Sequence, residues 1–133
     1  MSVRAALRGL LLAASLSVTG CEQRPTALAR VSGRVTYAGA AVVHGVIVFT
    51  PDAESGNYGV CAVGEIGADG RYSLTTDGAP GAAPGWHRVS IAGLDSTYGP
   101  RLPERFRDPN SSKLRVEVVA GRDNALDFKL EGP

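Results

Sequence analysis

From residue 30 onward, apolar and polar positions alternate in short runs separated by turn residues. Arg30 to Tyr37 places Val31, Val35 and Tyr37 on one face and Arg30, Ser32, Arg34 and Thr36 on the other, the period of a half-buried strand. Val42 to Thr50 (VVHGVIVFT) is apolar at both parities, which predicts a central strand covered on both sides and stopped by Pro51. A weaker strand follows from Tyr58 to Ile66, broken by Gly59 and Gly64. The Asp69-Gly70 pair then predicts a tight two-residue hairpin leading to Tyr72–Thr76, with Tyr72 and Leu74 inward. Asp77 to Gly85 (DGAPGAAPG) reads as a turn-rich connection. His87 to Ile91 reads as a strand with His87, Val89 and Ile91 on one parity. Lys113 to Val119 points Leu114, Val116 and Val118 inward, Ala120 to Asp123 turns, and Asn124 to Leu130 returns with Leu126, Phe128 and Leu130 together. Seven short strands at this spacing predict an all-β fold, a seven-stranded antiparallel sandwich of two sheets.

The first 30 residues follow a different pattern. Arg4 and Arg8 precede Leu10 to Val18, nine residues without charge, and small residues lead to a cysteine in Val18-Thr19-Gly20-Cys21. This is the layout of a secretory signal, and the run is well short of the ~20 apolar residues a membrane-spanning helix needs. The Val-Thr-Gly-Cys stretch resembles the lipobox of bacterial lipoproteins. The resemblance implies cleavage before Cys21, a diacylglycerol thioether on its sulfur and a membrane partner held through that lipid. Glu22 leans the sorting toward the outer membrane of the cell envelope rather than the inner one. The chain therefore divides into a signal peptide (1–20), a lipidated tether (21–29) and a β domain (30–133).

Composition narrows the functions. With the two leader arginines removed, 12 basic residues face 13 acidic ones with no basic run, which argues against a nucleic-acid partner. With Cys21 lipidated, Cys61 is the remaining thiol, so no internal disulfide forms, and a small buried apolar role is its first reading. His44 and His87 are the two histidines, neither with a second histidine or cysteine at metal-ligand spacing. Each is read as a packed core residue, His87 hydrogen-bonded to a carbonyl. Asp69 and Asp108 are single carboxylates, too few for calcium. No serine sits in a nucleophile elbow. The sequence predicts no catalytic residue, no metal and no cofactor.

Two features stand out as a possible binding surface. Trp86, if outward, offers a ring for stacking on sugars or a partner. Leu94 to Ser112 runs nineteen residues without strand alternation, long for a connection in a compact domain. Its Tyr98, Arg101, Arg105, Phe106 and Arg107 combine arginine with aromatics, as protein interfaces do. The structural alternative is that prolines stiffen the segment while Leu102 and Phe106 cap the core.

The segments VSGRVTYAGAAVVHGVIVF, GEIGADGRYSLTT, APGWHRVSIAG and LPERFRDPNSSKLRVEVVAGRDNALDFKL are similar to small bacterial lipoproteins described as carboxypeptidase regulatory-like domain proteins. The landmarks are Gly33, Asp69-Gly70-Arg71-Tyr72, Pro84-Gly85, Leu102-Pro103-Glu104 and Asp127-Phe128-Lys129-Leu130. The resemblance covers about Val31 to Leu130 and implies the Greek-key, transthyretin (prealbumin)-like fold without implying an activity. His87 stands where these proteins usually carry an inward tyrosine. The Tyr-Arg-Gly-Ser ending of the transthyretin-like hydrolases is missing from Lys129-Leu130-Glu131-Gly132-Pro133. The expected function is a non-enzymatic, lipid-anchored envelope module with a structural or binding role, whose partner is an envelope protein or glycan. The alternative is a carbohydrate-binding module using Trp86 or the 94–112 loop.

Overall fold

The computed structural model describes residues 27–93 and 101–132; Cys21, the leader and Tyr98 lie outside the described residues. The described chain is all-β, two sheets facing across one apolar core, with two short 3-10 turns, Ala53–Ser55 and Glu104–Arg107, and no α-helix. The strands are β1 (Val31–Tyr37), β2 (Ala40–Ala41), β3 (Gly45–Pro51), β4 (Ala62–Ile66), β5 (Arg71–Ser73), β6 (Thr75–Thr76), β7 (Ala79–Pro80), β8 (Gly85–Gly93), β9 (Leu114–Val118), β10 (Asn124–Ala125) and β11 (Phe128–Leu130). Each expected run contains strand, but Val42 to His44 and Tyr58 to Cys61 stay outside it. Two of the runs are split, as β5 with β6 and β10 with β11, and β2 and β7 are short additions.

One sheet runs β7-β6-β4-β3-β8-β9, all antiparallel; the other gathers β2, β5, β10 and β11 around β1. Here the wholly antiparallel expectation is corrected. β10 and β11 run parallel to β1, pairing Val31 with Asn124 and Tyr37 with Leu130. The reason is the turn before them. Asn124 is buried, and its side-chain oxygen accepts the Val119 N–H at 2.9 Å while its amide donates to the carbonyls of Val119 and Arg122 at 3.1 Å. This clamp carries the chain from β9 over the end of the sandwich into the opposite sheet instead of back along its neighbour. Asn124→Ala is expected to destabilise the domain by about 1–2 kcal/mol, because it removes the partner of several backbone groups in a part-buried turn; urea unfolding measures it.

The expected Asp69-Gly70 hairpin is likewise corrected. Only Gly70 of that pair has a left-handed φ (81°), and the turn hands the chain from β4 to β5 in the other sheet, docked by the Val35 N–H on the Gly70 carbonyl at 2.9 Å. The two-residue hairpin sits at Asp77-Gly78, between β6 and β7, where both residues are left-handed (φ 49° and 80°), as a type I′ turn requires.

The inward parity reads as expected in both sheets. Val31, Val35, Tyr72, Leu74, Phe128 and Leu130 face Ile47, Phe49, Val89, Ile91 and Val118, all buried. Phe49 is central, with ring centroids 6.4 Å from Tyr72 and 6.0 Å from Phe128, the latter edge-on. The 42–50 run differs from expectation: its strand starts at Gly45, one parity is buried, and Val46 and Val48 are half-buried on the outer face. His44 precedes the strand, exposed and left-handed (φ 52°), rather than packed in the core.

Candidate functional site

The strongest concentration of charge around a buried acid lies where β3 ends. Pro51 closes the strand, and Asp52 caps the 3-10 turn Ala53–Ser55. Outward positions on β8 and β9 bring Arg88 and Arg115 opposite each other, since their strand register pairs them. Asp52 is 3% exposed and its oxygens are saturated. Oδ1 accepts from Arg88 Nε (3.2 Å) and the Glu54 N–H (3.3 Å), and Oδ2 accepts from Arg115 Nε (2.9 Å) and Ser55 Oγ (2.8 Å). Arg88 reaches on to Glu54 at 2.6 Å and Asn110 at 2.9 Å; Arg115 also donates to Ser55.

The Arg115 guanidinium, then Ser55 and Arg88, hold the Asp52 carboxyl at about 2, below its ordinary 3.8, against the opposing push of desolvation. An acid so held carries no proton at neutral pH and is a poor base. Ser55 spends its hydroxyl on Asp52, and its oxygen accepts from Arg115. What the cluster does is mechanical: it straps the 52–56 turn, and through Asn110 the 108–112 turn, to the outer face of the sheet.

Trp86 lies beside this strap. It is half-buried, and the Arg115 guanidinium sits 4.0 Å from its ring centroid, a cation–π contact that covers one face of the indole. Phe106 is corrected from the binding surface to the core: it is 3% exposed and, with buried Leu102, caps the sandwich. Arg101, Arg105 and Arg107 are exposed. Arg105 stacks on Phe106 at 4.5 Å and donates to the Glu131 carbonyl at 2.8 Å, beside a cleft of about 430 Å³ that also takes in Lys113, Leu114 and Lys129. Of the expected surface, Trp86 packs under Arg115 while Arg105 lies against Glu131. Asp52, Arg88 and Arg115 were not legible as a site in the sequence. The local signal was Pro51-Asp52 before Ser55, but the arginines arrive from 36 and 63 residues away.

His87 is buried, with its ring 5.9 Å from Phe49 and Nδ1 donating to the Gly85 carbonyl at 3.0 Å. Burial lowers its pKa from 6.5, with the Gly85 contact pulling the other way. Cys61 is half-buried, its sulfur 3.7 Å from Thr50 Oγ1. Among the described residues no three His, Cys, Asp or Glu gather where they could hold a metal ion.

These two shifts predict a two-step acid response. His87 has a lowered folded pKa, so its contribution is complete above 6.5 and is lost as pH falls below that value. Asp52 is also lowered, so its contribution is complete above 3.8 and is lost as pH falls through about 2. Thermal unfolding between pH 8 and 2 is expected to show both losses. His87→Phe removes the first, and Asp52→Asn removes the second. A profile that His87→Phe leaves unchanged would assign the upper step elsewhere.

Comparison with protein-family models and with curated proteins gives no match. Among solved structures the chain is similar to the dioxygenase domain of a dioxygenase and carbohydrate-binding protein fusion from the cellulolytic bacterium Streptomyces sp. SirexAA-E. The identity is 20%, the coverage 84% of each chain, and the TM-score 0.42.

Proposed function

We propose that the protein is a lipid-anchored, non-enzymatic module of the bacterial cell envelope with a structural or binding role, held to the outer membrane in preference to the inner one. The observation that carries this reading is the order of segments ahead of the β domain. Arg4 and Arg8, the uncharged Leu10–Val18 run and Val18-Thr19-Gly20-Cys21 place a lipidation cysteine eight residues before Ala29, where the described core begins. The charge strap supports the non-enzymatic part, because Asp52 and Ser55 are committed to each other and to two arginines. For the finer fold we retain the Greek-key, transthyretin-like arrangement that the resemblance to carboxypeptidase regulatory-like domains implies. The buried Phe49, Tyr72 and Phe128 cluster and the Gly33 approach to Leu126 support it.

Among the described residues no helix is long and apolar enough to cross a membrane; the reading assigns attachment to acyl chains on Cys21. Sequential washing of cell membranes tests it. A protein held by acyl chains stays in the pellet through high salt and leaves with detergent. Release by salt, or recovery in the soluble fraction, would overturn the anchor.

A further inference from the structure

The two ends of the sandwich differ. At one end β1 starts at Val31 opposite Asn124, β8 starts at Gly85 opposite Val118, β4 starts at Ala62 opposite Phe49, and Ala29 bridges to Ala82. This end is closed by the 52–61 connection, the Asp77-Gly78 turn and the 119–123 turn. At the other end β1 stops at Tyr37 opposite Leu130, near the Ala38-Gly39 and Asp69-Gly70 turns.

The large apolar side chains most open to solvent among the described residues are Tyr58 (78%), Val60 (56%), Val63 (42%) and Val119 (38%). All four lie at or beside the Ala29 end. Tyr58 and Val60 are in the 52–61 connection, Val63 is the second residue of β4, and Val119 directly follows β9. The opposite end carries exposed charge from Asp69, Arg71, Arg105, Lys113, Lys129 and Glu131, whereas the Ala29 end mixes these apolar residues with exposed Arg30, Glu54, Asp77, Arg122 and Asp123.

The connection is built to hold Tyr58 outward. Asn57 fills the space where a Gly85 side chain would stand, its Oδ1 2.1 Å from that Cβ position, which fixes the loop over the start of β8. Cys61 then leads into β4, two strands away, so residues 58–60 cross the end of β3. Gly56 and Gly59 flank the crossing with φ of 79° and 134°, and a Cβ on either would meet nothing within 4 Å. Glycine is there for its backbone conformation and not for space, and Tyr58 between the two is exposed.

Single exposed apolar residues are ordinary; four gathered at the end where the chain enters the domain are not. Ala29 enters at the same end, and the eight residues from Cys21 to Ala29 reach at most about 28 Å. We propose that this end, through Tyr58, Val60, Val63 and Val119, rests on the bilayer surface, with the tyrosine ring at headgroup depth where amphipathic rings favour the interface. The inference rests on the anchored reading and adds an orientation to it: the end with the Ala38-Gly39 and Asp69-Gly70 turns faces away from the lipid. Exposed charges of both signs share the docked end, Arg30, Arg115 and Arg122 with Glu54, Asp77, Glu117 and Asp123, so it carries no large net charge.

The test uses the full lipidated chain with Cys61→Ser, reconstituted into phosphatidylethanolamine and phosphatidylglycerol vesicles. Tyr58→Cys, Val119→Cys, Ala68→Cys and Glu131→Cys are each labelled with an environment-sensitive fluorophore. Nitroxide-bearing lipid is expected to quench the labels at 58 and 119 at least threefold more than those at 68 and 131. Chains that fail to float with the vesicles would overturn the anchor and this orientation together. Floating chains with equal quenching at all four positions would overturn the orientation and leave the anchor standing. Protection at 58 without lipid, with disulfides between copies at that position, would overturn it in favour of self-association.

Discussion

Cys21→Ser is expected to move the protein from the membrane pellet to the soluble fraction, lowering the membrane-to-soluble ratio at least tenfold. Each methylene buried in lipid contributes about 0.8 kcal/mol, so two acyl chains of ordinary membrane length supply roughly 20 kcal/mol and one chain alone holds only marginally. A serine hydroxyl offers no thioether, so the variant loses the whole of that term. Nothing in the leader replaces it. As a helix, the nine uncharged residues from Leu10 to Val18 would span about 14 Å of a hydrocarbon core about 30 Å thick. The apolar rim at Tyr58 and Val119 is too small to hold the domain by itself. Salt-resistant retention of the serine variant would mean that some other part of the chain is the anchor.

Gly33→Ala is expected to cost at least about 3 kcal/mol, lowering the melting temperature by roughly 12–20 °C for a domain this size. Gly33 lies on β1 where the chain between β10 and β11 comes closest. An added Cβ would stand 1.9 Å from the Leu126 carbonyl oxygen and 2.6 Å from its carbon, both backbone atoms that cannot swing aside. Moving residues 126 and 127 away strains three bonds at once: the Leu126 N–H to the Ser32 carbonyl (2.8 Å), the Arg34 N–H to the Asp127 carboxylate (2.9 Å), and the Tyr72 hydroxyl to the Leu126 carbonyl. Gly39→Ala is the control. Its φ is 84° with nothing within 4 Å, so it meets only backbone strain of about 1–2 kcal/mol. Calorimetry of the two variants separates crowding from conformation, and equal losses would contradict the close approach.

The same seam shows what the sequence could and could not reveal. Inward parity was legible wherever one face of a strand meets the core: Val31 with Val35, Tyr72 with Leu74, Val89 with Ile91, Phe128 with Leu130. Period-2 alternation is a direct trace of burial on one side. Which strand lies beside which was not legible, because β1 meets β10 and β11 at 93 residues' separation and alternation carries no record of a partner. The split between β10 and β11 depends on the Asp127 carboxylate taking the Arg34 N–H that a strand carbonyl would otherwise take. Asp69-Gly70 read as the hairpin and Asp77-Gly78 only as the start of a turn-rich connection, whereas the difference between the two pairs is the φ of the aspartate, which tertiary contacts decide. Arg88 and Arg115 read as outward strand positions, which they are. That both close on Asp52 follows from sheet order, and that order lies outside any local window.

The central claim, that a lipid on Cys21 holds this β domain to its membrane, is tested most directly by intact-mass and N-terminal peptide spectrometry of the protein extracted from membranes. The account predicts a mature chain beginning at Cys21, with residues 1–20 gone and the mass of a diacylglyceryl group, with or without a third acyl chain, on that residue. An exported chain whose Cys21 carries an unmodified thiol would contradict it.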